Sequence, residues 1–502
     1  MPNQIFTDEI SVLSKHTETT FELATDREIL LADYGRPVFK IVKTLVEHSV
    51  TQKYINGNRL VLEGFFRTSV FYQPPQGEPL TVISKKQPFQ KQVDLAQPVQ
   101  GPHFVTVKGE LQYVNTRAVN PARIAVNGVY SFDVRLYTAG NIPVITAPGS
   151  DTVCADTEEL QFFTLCGTAT KQFSMEDDIS VPENTDKILY ISAQLTDISA
   201  IPYQDRVNIK GEAEAEILYS MHNSADLHRI KKKFAFNQLA DIQGTAENNV
   251  SFADLSVNSV TVTGNTDSGR VNCILTANAD IRVFRKNSVI TVLDAFSKKY
   301  DCTRQQKRIA LDKNINAISQ KFPHSVADNI GAGYTPLCCF VNLSAPFFSA
   351  GEDKNRLQSR FTATAVVRNA DDECECFVKS GEIDLNIHGN ILPDDQYILS
   401  CNVSDRHITV SADTLKVDFT VSVNGFITDR QSKAVLDNFE ENTDQPIPSS
   451  ADALILYYGS EGENLFDIAM KYHTDMHTIM AENSMDTKIL AEDKMLIIPS
   501  FG

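Results

Sequence analysis

Apolar and polar residues alternate along most of this chain. Between Arg206 and Tyr219, Val207, Ile209, Gly211, Ala213, Ala215 and Ile217 share one parity, with polar residues between them. Period two predicts a half-buried strand. The stretch from Arg59 to Tyr72 is rich in β-branched and aromatic residues and carries Gly64 in its middle. A glycine inside a strand predicts a bulge or a close backbone approach. Residues 125–137 and 272–284 alternate in the same way. One short helix is predicted over 312–322, where Ile315, Ile318 and Phe322 fall at helical spacing. The expectation for residues 1–426 is therefore a mainly β fold.

The chain repeats itself. Residues 59–135 set against 206–282 without a gap give 13 identities in 77 positions, where chance gives about five. Among them are Arg59/Arg206, Gly64/Gly211, Tyr72/Tyr219, Phe89/Phe236 and Arg123/Arg270. The two glycines should occupy the same kink in the same strand. The shared arginines predict ion pairs that set repeat geometry. Tyr72 and Tyr219 predict core positions with the hydroxyl near the surface. The twin lysines Lys85-Lys86 and Lys232-Lys233 predict a solvated face, with docking of an acidic partner as the sharper reading. A third copy follows more weakly. Residues 356–367 resemble the opening strand, with Phe361 where the glycine stood, and 414–426 resemble the closing one. The expected units are 1–160, 161–300 and 301–430. An acidic, proline-containing linker over 431–453 and a compact unit over 454–502 complete the chain.

Composition narrows the function. The 502 residues carry 46 Lys+Arg against 64 Asp+Glu, a net charge of −18, which argues against broad binding to phosphate backbones or anionic membranes. No stretch approaches the ~18 apolar residues of a membrane span, and the first ten residues do not resemble a secretory signal. A cytoplasmic protein with nine reduced cysteines is expected. Cys338-Cys339 and Cys374-x-Cys376 lack zinc-site spacing. HExxH, GxSxG and phosphate-loop motifs are absent. The carboxylate clusters Asp371-Asp372-Glu373 and Asp394-Asp395 read as solvated turns rather than a glycosidase pair. His473 and His477 read as surface residues, since no third metal ligand is near. Neither catalytic residues nor a metal or cofactor is expected.

The last fifty residues predict β-α-α-β. Leu454–Tyr458 form an apolar strand; Leu465, Ile468, Ala469 and Tyr472 mark one helix face, with Asn464 as its N-cap. Met476, Ile479 and Met480 mark a second helix, and 496–498 a closing strand stopped by Pro499. Gly462, Leu465, Phe466, Ile468, Ala469, Tyr472, Asn483, Ile489, Leu490, Leu496, Ile498 and Pro499 together resemble the LysM domain. The first loop departs from it, with Gly462-Glu463-Asn464 in place of Gly-Asp-Thr, and Asp493 stands where the family has glycine. The resemblance implies a shallow groove for N-acetylglucosamine glycans or a partner, made here by Glu461, Gly462, Glu463, Asn464, Leu465, Asn483, Met485, Asp486 and Ile489.

The upstream repeats, through residues 58–64 with Tyr72, 205–211 with Tyr219, and Phe89 and Phe236, resemble the SPOCS family, β-rich domains of spore-coat-associated proteins. SPOCS repeats with one C-terminal LysM resemble the clostridial spore-envelope morphogenetic proteins of the SipL type. That implies a mother-cell protein at the forespore surface that helps the coat encase the spore. A scaffold without enzymatic activity is expected, whose repeats offer edges and faces for coat partners or for self-association. The alternatives are a peptidoglycan-binding cell-wall protein and a cell-wall hydrolase. The unit from Leu454 to Gly502 sets eight carboxylates against three lysines, a charge of −5. Peptidoglycan carries carboxylates too, so a basic surface on a protein of the coat basement layer is the expected partner.

Overall fold

The computed structural model describes residues 5–32, 35–75, 78–222, 224–264, 266–349, 356–387, 396–448 and 454–499. Strands dominate, as the alternation predicts. The first repeat holds β1 (Phe6–Ala24), β2 (Arg27–Leu30), β3 (Lys40–Asn56), β4 (Arg59–Gln73), β5 (Thr81–Asp94), β6 (His103–Asn120) and β7 (Arg123–Ala147). The second holds β8 (Val153–Ser180), β9 (Thr185–Tyr203), β10 (Arg206–Met221), β11 (Leu227–Asp241), β12 (Val250–Thr263) and β13 (Arg270–Ser297). The third holds β14 (Tyr300–Asn329), β15 (Thr335–Leu343), β16 (Phe347–Ser349), β17 (Arg356–Arg368), β18 (Cys374–Asp384), β19 (Tyr397–Ser411) and β20 (Thr414–Pro446). The opening strands β1, β8 and β14 begin 147 residues apart each time.

Each repeat is built from two antiparallel sheets. One has the order β3-β4-β5, β9-β10-β11 or β15-β17-β18, with β16 also on β17. In the other the last strand is central: β7, β13 and β20 lie between the opening strand and β6, β12 or β19. Inward residues of both sheets fill the core between them. In the second repeat Val207, Ile209, Ala213, Ala215 and Ile217 meet Val271, Cys273, Leu275, Ala277, Ala279 and Ile281, all buried. The alternation in the sequence is thus the alternation of one sandwich face with the other.

Three expectations are corrected. The boundaries fall at 148–152 and 298–299 rather than at 160 and 300, because β8 opens the second repeat by pairing with β13 along its whole length. Residues 312–322 are not a helix but lie within β14. Ile318 packs into the third sandwich, whereas Ile315 lies against a different cluster near Phe426. Three residues apart on one uninterrupted stretch of strand, the two side chains point to opposite faces. Residues 431–446 are not a linker. They continue β20 and pair with the first half of β14, burying Val435, Leu436 and Phe439. Part of the rest of that segment, 449–453, lies outside the described residues, as does Asp394-Asp395. Asp371-Asp372-Glu373 sits in the turn between β17 and β18, where Glu373 pairs with Lys40 at 3.2 Å.

The three repeats pack against one another. Leu45 and Phe71, Tyr190 and Leu218, and Phe340 and Val366 form one cluster drawing on all three copies. The far ends of the second sheets extend as two-stranded ribbons, which are marginal alone. Their apolar faces meet in a second three-way cluster: Ile10, Val12 and Val144; Leu160 and Phe162; Ile309, Leu311 and Val435. Polar contacts cross the same seams. Arg406 reaches Glu216 at 3.1 Å, Lys321 reaches Asp197 at 2.7 Å, and Lys53 pairs with Asp280. Of the duplicated arginines, Arg59 pairs with Asp94 at 2.9 Å and Arg123 with Glu28. Tyr72 is buried and its hydroxyl donates to the Arg36 carbonyl at 3.0 Å. The twin lysines lie on β5 and β11, where Lys232 meets Asp177 at 2.6 Å and Lys233 meets Glu212 at 3.2 Å.

The shared glycines occupy the same place. Gly64 in β4 lies opposite Phe89, and Gly211 in β10 opposite Phe236. At both, the register against the preceding strand shifts, between Val50 and Gln52 in one copy and around Gly211 in the other. A Cβ on Gly64 would lie 2.1 Å from the Ser49 carbonyl oxygen and 2.8 Å from the Phe89 ring; one on Gly211 would lie 2.6 Å from Phe236. The third repeat reverses the pair. Phe361 stands on the central strand and Gly381 directly opposite it on β18, where a Cβ would meet the Phe361 ring at 2.8 Å. The ring covers the bare backbone in all three copies, from either side of the ladder.

His48 on β3 is enclosed by the Tyr130 and Phe132 rings, 5.0 and 5.3 Å between centroids. Burial disfavours its charged form and pushes its pKa down to about 4. A folded pKa below the unfolded value means the protein binds fewer protons than the unfolded chain. Stability is therefore full above ~6.5 and falls as pH drops towards 4, by up to about 3 kcal/mol. His48→Phe should flatten the loss of melting temperature over that interval. An unchanged slope would place the titrating group elsewhere.

Candidate partner-binding groove in the C-terminal unit

The C-terminal unit consists of β21 (Leu454–Gly459), α1 (Leu465–Lys471), α2 (Met476–Glu482) and β22 (Lys494–Pro499), with β21 antiparallel to β22. Its order is the predicted β-α-α-β. Leu465, Phe466, Ile468 and Ala469 of α1 and Met476 and Ile479 of α2 are buried against Leu490, Leu496 and Ile498. Asn464 caps α1 as its spacing predicts: its side chain accepts from the Phe466 N–H at 3.0 Å. Asp475 caps α2, accepting from the N–H groups of His477 and Thr478.

Backbone bonds hold the two groove loops together. Gly462 N–H donates to the Leu490 carbonyl at 2.9 Å, Leu490 N–H to the Glu463 carbonyl at 3.0 Å, and Leu465 N–H to the Lys488 carbonyl at 2.8 Å. Gly462 turns the first loop at φ +85°, a conformation that favours glycine. The nine residues expected to form the groove separate into two classes. Leu465 is fully buried. Asn483 closes α2 onto β22: its amide donates to the carbonyls of Ile479 and Ile497 and its oxygen accepts from the Ile497 N–H. The Glu463 carboxylate accepts from the Tyr457 hydroxyl and the Ser460 N–H. Burial and this carboxylate both raise the Tyr457 pKa. Asn464 is committed to its cap. These four are bound into the framework of the loops. Glu461, Gly462, Asp486 and Ile489 are exposed and Met485 is half-buried, so they form the presented surface.

Three contributors were not legible from spacing. Asp493, standing in place of a glycine, accepts from the Glu461 N–H at 2.8 Å and ties the first loop to β22. Tyr457 orients Glu463. Lys488, in the second loop, leaves the unit altogether: its ammonium contacts Asp156 at 2.6 Å and the Thr157 carbonyl at 3.0 Å on β8. Phe466 packs edge-on against Phe296 of β13 at 5.3 Å, and Arg304 of β14 reaches the Met470 sulfur. The unit thus docks where the second and third repeats meet. At the seam, Cys154 donates to Asp475 at 3.4 Å. Burial, and then the neighbouring carboxylate, push the Cys154 thiol up to about 12. Burial alone would raise the Asp475 carboxyl, but the thiol and two backbone N–H groups hold it low. His473 and His477 are exposed, and no group of three metal-ligating side chains converges among the described residues.

Asn464→Ala should cost about 1 kcal/mol by uncapping α1, read as faster amide exchange confined to α1. Exchange unchanged in α1 would contradict the assigned cap.

Residues 37–134 and 184–264 match the family model described as SipL, SPOCS domain. These are β3–β6 with the first half of β7 in the first repeat, and β9–β12 in the second. Both segments belong to the SipL SPOCS-domain family. The SPOCS domain makes this a sporulation-related protein. No curated protein and no solved structure matches the chain. The matched SPOCS segments begin after the opening strand of each repeat, so β1 and β8 complete sandwiches whose matched parts lie downstream. The third repeat has the same strand order, with the Gly–Phe pair inverted. Among the described residues, no helix is long and apolar enough to cross a membrane.

Proposed function

We propose that this chain is a non-enzymatic scaffold of spore-envelope morphogenesis, acting at the forespore surface of the mother cell. Its three SPOCS-like repeats form the body, and its LysM-like C-terminal unit is the adaptor that holds a coat partner. The observation that carries this reading is the docked adaptor: helices α1 and α2 are tied to the body through Phe296, Asp475 and Lys488, while Glu461, Asp486 and Ile489 face outward. A fixed adaptor presents its surface in one direction relative to the repeats, which suits a layer-building protein better than a tethered glycan sensor. The outward carboxylates favour a basic protein surface, with an association rate that falls as salt rises.

Exposed residues give the informative variants. Glu461→Lys with Asp486→Lys, and separately Ile489→Asp, should weaken binding of the full chain to spore-coat basement-layer protein about tenfold. Binding to chitin oligomers and peptidoglycan should be weaker than protein binding throughout. Unchanged protein binding with lost oligosaccharide binding would make this a peptidoglycan-binding protein instead. Glu463→Lys and Asn464→Ala disturb the groove framework and report on folding as well as binding.

A further inference from the structure

Where the three repeats converge, they line an open cavity of about 660 Å³, within the ~300–1,000 Å³ of ligand sites. Its wall has an unusual composition. Central strands contribute alternate residues, Glu214 and Glu216 from β10 and Arg360 and Thr362 from β17. The strands β3, β6, β9, β12, β15 and β19 contribute consecutive ones: 46–48, 109–113, 192–195, 255–257, 341–343 and 401–403. Side chains of a strand alternate between its faces. A run of consecutive residues therefore lines a cavity only where the strand turns its edge towards it.

All six are edge strands. Each is hydrogen-bonded on one side only: β3 to β4, β6 to β7, β9 to β10, β12 to β13, β15 to β17 and β19 to β20. Among the described residues no ladder joins β3 to β6, β9 to β12 or β15 to β19. Register shifts near 112, 258 and 405–406 interrupt β6, β12 and β19 at matching places. Such bulges bar a long ladder on these three edges, whereas the runs 46–48 of β3, 192–195 of β9 and 341–343 of β15 keep their register without a shift. Much of the charge around the cavity is already engaged. Arg406 pairs with Glu216 at 3.1 Å, Arg67 with Glu47 at 2.6 Å, and Lys231 with Glu214 at 2.9 Å. Lys43, Glu110 and Arg360 add charges of both signs to the wall, beside main-chain edge, amides and hydroxyls.

We infer that this central cavity is a binding site for an extended polypeptide segment, which adds a strand to one of the inward edges. Main-chain bonds would supply the affinity, and polar side chains such as Gln194, Asn342 and Asn402 the selectivity. The occupant is neutral or polar rather than strongly charged, because the wall nearly balances Lys43, Arg360 and Arg406 against Glu47, Glu110, Glu214 and Glu216.

The test uses the full chain and a pooled library of end-capped random hexapeptides, read by affinity selection and mass spectrometry. Individual winners are then titrated. Enriched peptides should lose at least tenfold in affinity when alternate amides are N-methylated. They should lose as much in Asn342→Trp and Asn402→Trp, which fill the cavity from two sides; only variants with unaltered melting temperature are scored. Enrichment no greater than with the filled variants would overturn the proposal, as would binding that survives N-methylation. Chitin oligomers that bind the cavity and are displaced by either tryptophan would overturn it in favour of a sugar site.

Discussion

A chain ending at residue 430 is expected to lose the fold of its third repeat, whereas one ending at 447 keeps it. The two differ by a segment whose composition is that of a linker. In the structure that segment is the far half of β20, paired to β14 from Tyr300 to Leu311. Its removal strips a ribbon of its partner strand and takes away Val435, Leu436 and Phe439, each at most 5% exposed. At ~1.5–3 kcal/mol per buried apolar side chain the loss is about 6 kcal/mol, comparable with the ~5–15 kcal/mol that holds a domain together. Lys307 would also lose Asp437, and Glu158 would lose Lys433. Limited proteolysis and circular dichroism of the two truncated chains decide the point. Equal protease resistance would mean that 431–446 adds nothing to the body.

The second large effect concerns the glycine under the aromatic ring. Gly64→Ala should destabilise the first repeat by about 3 kcal/mol, at the upper end of overpacking costs, because the new methyl meets the Ser49 carbonyl oxygen, a backbone atom. Gly381→Ala should cost about 1 kcal/mol, because it meets only the Phe361 ring, which can turn aside. Gly211→Ala should fall between, pressing on both Phe236 and the Thr196 carbonyl. Urea midpoints of the three variants should follow that order. A Gly381 variant as damaged as the Gly64 one would show that ring cover, not backbone approach, dominates.

Strand content, the duplication and the bulge at Gly64 and Gly211 were all legible, because period two and a fixed repeat offset are properties of local sequence. The misread elements share one cause: their meaning lies in a partner distant along the chain. The strand over 312–322 serves two clusters, so its apolar residues fall three and four apart and mimic a helix. The polar tail of β20 reads as a linker until β14, with Arg304 and Lys307, lies beside it. The third repeat keeps its Gly–Phe contact by exchanging the two residues across a ladder, visible only once Phe361 is paired with Gly381. In the C-terminal unit, spacing located the two helices, the strand pair and the Asn464 cap. It did not separate Glu463 and Asn483, bound into the framework, from Glu461 and Ile489, which face outward. Nor did it foresee Lys488 reaching back to Asp156.

The most direct test of the scaffold reading is the position of the chain in sporulating cells, compared between fluorescent fusions of the full chain and of a chain ending at residue 447. The account predicts that the full chain forms a continuous shell around the forespore. The shortened chain, with its three repeats intact, should lose that shell and spread through the mother cell. Labelling of the vegetative cell wall by the full chain, or an unchanged shell without the C-terminal unit, would contradict it.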